Sequence, residues 1–269
     1  MVKLENAGER MGRARPNMIA IHRNLILSLL VGLSAVAWLF LLRSSGNHHD
    51  PMRMASPSMG LGAPLFIAVW MAMTVAMMFP TAAPMALAFH KVQINRRSRG
   101  QAFVGTWVFL AGYLLVWLAS GLLAYGGALA AEAVAAALDL SAQTSARAGG
   151  VVLVAAGLYQ LTPLKNLCLS ECRTPMSFIM TSWRGGTAGA LQMGAIHGAW
   201  CLGCCWLLCA IMFPLGMMNV AALATITLVI FAEKILPCGV VVAKAMVVIL
   251  CAYGLFTLIL PRILLVFPG

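Results

Sequence analysis

The chain has 269 residues, of which 62% are hydrophobic and only 9% are charged, and its mean hydropathy is +0.92. These proportions exclude an ordinary soluble domain and indicate an all-α fold, a polytopic bundle of transmembrane helices. A net charge of +11 is also typical of nucleic-acid-binding proteins, so the positions of the lysines and arginines must distinguish the two classes.

The hydrophobic runs predict a basic N-terminal tail (1–21) followed by a single multi-pass membrane domain (22–269). We predict about seven spans, at 22–42, 61–88, 102–125, 149–163, 189–214, 220–236 and 240–261. The fourth of these is short for a bilayer. Six spans plus a re-entrant segment are therefore the alternative.

The basic residues are distributed asymmetrically between the two sides of the predicted membrane. When the spans alternate from an inside N-terminus, fourteen Lys and Arg fall on the inner side, and the outer side keeps Arg43, Arg53, Arg147 and Arg262. This bias predicts a cytoplasmic N-terminus and an outside C-terminus. The first apolar run lacks a small-residue cleavage site and indicates a retained anchor. We therefore expect the inner membrane of a prokaryote, with the lipid bilayer as a partner and no nucleic acid.

Two segments before the middle of the chain carry soft side chains. The outer loop after the first span holds His48, His49, Met52, Met54 and Met59. It is either a solvated loop or the outer end of a route for a soft metal ion. The second span carries a heptad row, Met71, Met78 and Met85, and we expect Pro80 and Pro84 to interrupt its helix.

The fifth span is the most informative part of the sequence. His197, Cys201, Cys205 and Cys209 follow one another at steps of four residues, with Cys204 beside them. Groups four apart share one face of a helix, so this span predicts a ladder of imidazole and thiol inside the membrane. Before it, Cys168 and Cys172 are also four apart, and one turn of helix would bring both thiols together.

Thiol and imidazole are ligands for soft and borderline metal ions. The predicted metal ligands are His197, Cys201, Cys204, Cys205, Cys209, Cys168 and Cys172. Consecutive two-ligand steps along a helix favour copper(I), while zinc needs four ligands and, like an iron–sulfur cluster, remains an alternative. We find no nucleophile–base pair, phosphate loop or dinucleotide fingerprint, so no catalytic or organic-cofactor residues are predicted and enzymatic activity stays open.

Two further features bear on how the ladder is surrounded. Ala190, Gly194 and Gly198 form a row of small residues that would let another helix approach closely, and the second span is the candidate. Near the inner end of the sixth span, Glu233 and Lys234 could neutralise each other, or form an anchor or an interhelical ion pair. The functional alternative is a proton or counter-charge partner for a passing metal ion.

The leading hypothesis is a membrane protein that binds a soft metal ion and stores it, transfers it, or delivers it to a membrane metalloenzyme or metallochaperone. One alternative is a thiol–disulfide redox protein that uses Cys201 and Cys204. A mid-helix position weakens this hypothesis, since reactive pairs usually lie at a helix N-terminus. The other alternative is a non-catalytic assembly subunit of a larger membrane complex.

The motifs also carry a family resemblance. The run HGAWCLGCCW at 197–206 fits HGxxCxGCCW and is followed by Phe213, Gly216, Met218-Asn219 and Glu233-Lys234. Earlier come MMFPTAAP at 77–84, Leu164-Lys165, Cys168, Cys172, Arg173, Pro175 and Phe178. Over roughly 61–237 the chain resembles an uncharacterised prokaryotic family of predicted metal-binding integral membrane proteins, a domain of unknown function. The resemblance implies metal binding without a particular reaction. The chain departs from the family at Cys209, where relatives more often carry methionine, whose sulfur is also a soft ligand.

Overall fold

The computed structural model describes residues 2–47 and 56–261, with side chains from 20–45 and 56–261. Within these residues every regular element is a helix, which confirms the all-α prediction. In chain order the helices are α1 (Val2–Asn47), α2 (Ala63–Ser98), α3 (Thr106–Ala137), α4 (Ala142–Tyr159), α5 (Pro163–Arg173), α6 (Pro175–Thr181), α7 (Gly186–Ala210), α8 (Met212–Leu215), α9 (Val220–Ile235) and α10 (Gly239–Ile259). His48, His49, Met52 and Met54 of the predicted outer loop lie outside the described residues.

The number of helices that could cross a membrane is smaller than the predicted seven. In the part of the chain with described side chains, five helices are long and apolar enough, and a sixth arises if α4 and α5 form one bent span. Those two helices meet at a bend of 64°, which agrees with the expectation that the fourth span is unusual. Helix α9 has 16 residues, about 24 Å at 1.5 Å per residue, and is short for a bilayer of about 30 Å.

Local sequence explains why the chain bends between α4 and α5. Pro163 occupies the first turn of α5, where its missing N–H costs no hydrogen bond. The Thr162 hydroxyl accepts a hydrogen bond from the Lys165 backbone N–H at 3.3 Å and so caps the new helix. The chain therefore starts a second helix in a new direction, and α5 packs along α7.

Helix α2 corrects one expectation. It runs without interruption from Ala63 to Ser98 and contains both Pro80 and Pro84. Each proline removes one backbone hydrogen bond and crowds the preceding turn. Burial of this helix among its neighbours is the type of packing that lets helices of membrane proteins tolerate proline.

Small residues set the closest helix contacts. Gly194 and Gly198 of α7 pack on the backbone of α3, where a Cβ on Gly194 would overlap the carbonyl oxygen of Phe109. The row of small residues therefore admits a close neighbour as predicted, but that neighbour is α3 and not the second span. A similar contact joins α4 and α10, since Gly150 and Gly254 each face the other's carbonyl oxygen.

This contact predicts a large difference between two glycines. We expect Gly194→Ala to lower the free energy of unfolding by about 1–3 kcal/mol, because the methyl group must push α3 and α7 apart. Gly126→Ala in α3 is the matched control, since nothing lies within 4 Å of its Cβ position. Thermal unfolding in detergent measures both, and equal midpoints for the two variants would contradict the packing.

Candidate metal centre

All five residues of the predicted ladder lie on α7 and are buried. His197, Cys201, Cys204 and Cys205 are each at most 3% exposed, and Cys209 is 8% exposed. The two thiols of Cys204 and Cys205 donate hydrogen bonds to the carbonyl oxygen of Cys201, at 3.1 and 3.0 Å. These bonds turn both side chains back along the helix, toward the Cys201 level.

The bend at 160–162 brings a second set of cysteines against α7. The Tyr159 hydroxyl donates to the carbonyl oxygen of Gly203 at 2.5 Å. A Cβ on Gly203 would lie 2.7 Å from the Cys168 Sγ, so glycine leaves room for this thiol. One turn further along α5, the Cys172 thiol lies close to the Cys201 and Cys204 thiols.

Four thiols from two helices therefore meet in one place. We call them the thiol cluster, and its members are Cys172, Cys201, Cys204 and Cys205. The predicted ladder on α7 does not include Cys172, because this cysteine belongs to α5, which packs along α7. Cys168 lies beside the cluster, close enough to Cys204 for their charges to interact.

Cys201 has the largest number of polar neighbours in the cluster. Its Sγ lies 3.1 Å from the Tyr113 hydroxyl on α3 and 2.9 Å from Lys234 Nζ on α9. Lys234 Nζ also lies 3.7 Å from Met78 Sδ on α2. Side chains from α3 and α9 thus contact one sulfur of α7, and one of them is a buried ammonium group.

The two charged residues of α9 do not pair with each other, so mutual neutralisation, one of the sequence alternatives, is wrong. Glu233 instead forms a buried ion pair with Lys165 of α5, at 2.7 Å between Nζ and Oε2. Lys234 is free of a carboxylate partner in the described hydrogen bonds and faces sulfur. Since helical neighbours one residue apart point in different directions, the two side chains enter different environments.

Burial of Lys165 and Lys234 changes the number of basic residues counted on the inner side of the membrane. The predicted topology places both lysines in inner segments, yet their side chains are 1% and 6% exposed. Without them, the fourteen inner basic residues become twelve, against four on the outer side. Both counts apply to the alternation of seven predicted spans, whereas the described helices offer five or six.

His197 occupies a different environment from the thiols. Its imidazole lies among the rings of Phe109, Tyr113 and Phe178, at centroid distances of 5.9, 5.6 and 5.7 Å. Its Nδ1 is buried and has no hydrogen-bond partner. The predicted His197–Cys201 step is not a described contact, so this pairing stays a prediction.

Within residues 20–45 and 56–261, no three side chains of His, Cys, Asp or Glu already stand in an arrangement that could hold a metal ion. The thiol cluster is thus a group of neighbouring thiols, two of which, Cys204 and Cys205, donate to the carbonyl oxygen of Cys201. All eight cysteines of the sequence fall in the described range and are free. Cys251 packs against Gly157, as a small hydrophobic residue does.

Tyr113, Lys165 and the contact of Lys234 with sulfur were missed by sequence reasoning. The sequence places Lys165 near Cys168 and Lys234 beside Glu233. In the structure, however, Lys165 contacts Glu233, 68 residues away, and Lys234 contacts Cys201, 33 residues away. Only one signal could have found them: charged residues within apolar segments need partners inside the protein.

A family model described as PpoB2, copper chaperone, matches residues 67–257, which is most of the chain and includes the whole thiol cluster. No curated protein and no solved structure matches the chain.

Proposed function

Because the chain belongs to the PpoB2 copper chaperone family, we propose that it is a membrane-embedded protein that binds copper(I) as cargo and delivers it to a membrane metalloenzyme or metallochaperone. The family supports a copper-related role, and it favours copper over the zinc and iron–sulfur alternatives. The proposed binding site is the thiol cluster, with His197 and Cys168 beside it and Cys209 further along α7.

The meeting of four thiols, three of them buried and that of Cys172 partly exposed, carries this proposal. Copper(I) prefers soft thiolate and thioether ligands, and low coordination numbers suit it better than they suit zinc. Cys172, Cys201 and Cys204 come from two helices, and their thiols lie close to one another. A small rearrangement of thiols would therefore be enough for two or three sulfurs to reach one ion.

Charge balance supports a site of two thiolates. The buried ionic groups around the cluster are Lys165, Glu233 and Lys234, with a formal sum of +1. One copper(I) ion held by two thiolates carries −1. The loaded centre would therefore be neutral, which matters because an uncompensated charge in a low-dielectric interior costs several kcal/mol.

Membrane embedding is the second part of the proposal. Five or six apolar helices suit a multi-pass protein, and large side chains such as Leu123, Val248 and Ile259 are about 70% exposed or more, as lipid-facing residues would be. We propose the inner membrane of a prokaryote with a cytoplasmic N-terminus, because the basic residues of the N-terminal tail (1–21) and of the segment 91–99 fall on the same side of the first two spans.

Burial weighs against the thiol–disulfide alternative. Disulfide exchange requires an accessible thiolate that can reach another sulfur in line. The Cys201 and Cys204 side chains are 1% and 2% exposed, so a protein partner would have to open the helix packing first. No contact in the described residues favours the assembly-subunit alternative over copper binding.

The direct test is copper retention by the full-length protein. Detergent-purified protein would be loaded anaerobically with copper(I), then challenged with a chromophoric copper(I) chelator. We expect at least one ion per chain to be retained, and retained zinc to be negligible. Complete loss of copper to a weak chelator would overturn the proposal.

Lys234 gives a sharper prediction. We expect Lys234→Met to weaken copper(I) binding by about tenfold or more, because the loaded centre would then carry an uncompensated −1. The matched control is Lys244→Met, since Lys244 is exposed on α10. Chelator competition measures both, and wild-type affinity in Lys234→Met would rule out charge balance as the reason for the lysine.

A further inference from the structure

A small cavity of about 10 Å³ lies between α2, α3 and the junction of α7 with α8, beyond the thiol cluster. Five of its lining residues contain sulfur, namely Met73, Met77, Met78, Met212 and Cys209. A volume of this size holds about one atom the size of a water molecule. The ladder residue Cys209 thus lies among thioethers that do not belong to the predicted metal ligands.

The polar atoms that line this cavity are largely occupied. Trp70 Nε1 donates to the carbonyl oxygen of Trp117 and to the Ser120 hydroxyl, at 3.2 and 3.3 Å. The Thr74 hydroxyl donates to the carbonyl oxygen of Trp70 at 2.9 Å. The indole N–H of Trp117 lacks a hydrogen-bond partner, but it is a donor and binds no cation. Sulfur is therefore the main ligand type that the cavity offers.

Two features connect the cavity with the thiol cluster. Met78 belongs to the cavity lining, and its Sδ lies 3.7 Å from Lys234 Nζ, which contacts the Cys201 Sγ at 2.9 Å. On α7 itself, Cys209 lies one helical turn beyond Cys205. Sulfur atoms therefore follow one another from the cluster to the cavity.

We infer that this cavity is a second copper(I) site, built mainly from thioethers, through which the ion passes between the thiol cluster and the C-terminal end of α7. This inference rests on the proposed function. Thioethers are neutral soft ligands, so they hold copper(I) without neutralising its charge. The rings of Trp70 and Trp117 border the same space and would attract a cation. The site is therefore weaker than the thiol cluster, as a transfer site must be.

The test uses silver(I), a redox-stable substitute for copper(I), titrated into full-length protein in detergent. We expect two ions per chain, one bound tightly and one more weakly. The triple variant Met73→Leu, Met77→Leu and Met212→Leu should lose the weaker ion, with at least a tenfold lower affinity, and keep the tighter one. Leucine conserves volume, so the fold should survive. Met78 is left unchanged because it also contacts Lys234.

The control variant replaces three methionines outside the cavity, Met71, Met85 and Met246, by leucine. It should bind two ions like the wild type. A single ion in the wild type, or two ions in the cavity variant, would show a packing void only and would overturn this inference while leaving the thiol cluster intact. Absence of any bound ion would overturn the proposed function itself.

Discussion

Replacing Cys201 and Cys204 together by serine is expected to weaken copper(I) binding on the order of 100-fold or more, the loss of about 2.7 kcal/mol. These are the two α7 thiols that Cys172 approaches from α5. Serine keeps the size and the hydrogen bonds of cysteine but offers a hard oxygen that copper(I) binds poorly. The double variant keeps the thiols of Cys172 and Cys205, but it lacks the other two sulfur ligands of the cluster.

Cys251→Ser is the matched control for this double variant. Cys251 also lies on an apolar helix, but its sulfur packs against Gly157 of α4. Its replacement should leave copper affinity within about twofold of wild type. Chelator competition on both proteins, with thermal unfolding to establish that each is folded, gives the comparison. Equal affinities in the two variants would exclude the thiol cluster as the binding site.

The second large effect concerns stability. Lys165→Met is expected to lower the free energy of unfolding on the order of 3–5 kcal/mol, because it leaves the Glu233 carboxylate buried without its partner. The other oxygen of that carboxylate, Oε1, already lacks a hydrogen bond. The ion pair joins α5 to α9, so its loss should also loosen the packing of α5 on α7.

A second substitution separates charge from packing. Combining Lys165→Met with Glu233→Leu removes both charges and should recover most of the lost stability, as replacement of a buried ion pair by apolar residues often does. Lys244→Met, at an exposed position, should be close to neutral. Denaturation in detergent measures all three proteins. A double variant as unstable as the single one would mean that the charge of Glu233 is not the cause.

Periodicity along a single helix was sufficient to predict much of this protein. The steps of four residues from His197 to Cys209 placed these side chains on one buried helix, and the small residues Gly194 and Gly198 predicted a close neighbour. Such patterns depend on local geometry, which a sequence contains directly. The all-α class followed from composition with equal directness.

The contacts between distant segments could not be read in this way. The approach of Cys172 to Cys201 depends on the bend between α4 and α5, and the pairing of Lys165 with Glu233 depends on where α9 packs. Mutual neutralisation of Lys234 and Glu233 was one of the alternatives, since the two are adjacent in sequence. Adjacent residues of a helix point in different directions, so packing decides the partner of each.

Proline was misjudged for a related reason. Pro80 and Pro84 were expected to interrupt the second span, since each removes a helical hydrogen bond. Helix α2 instead continues through both, buried against its neighbours along most of its length. Tertiary packing outweighs the local effect of proline here, and packing is difficult to predict from a single sequence.

X-ray absorption at the copper K-edge of the protein loaded with one copper(I) ion tests the central claim most directly. We expect about two or three sulfur neighbours around copper, and loss of this signal in the variant Cys201→Ser with Cys204→Ser. A copper ion surrounded mainly by nitrogen or oxygen, or a sulfur signal unchanged in that variant, would contradict copper binding at the thiol cluster.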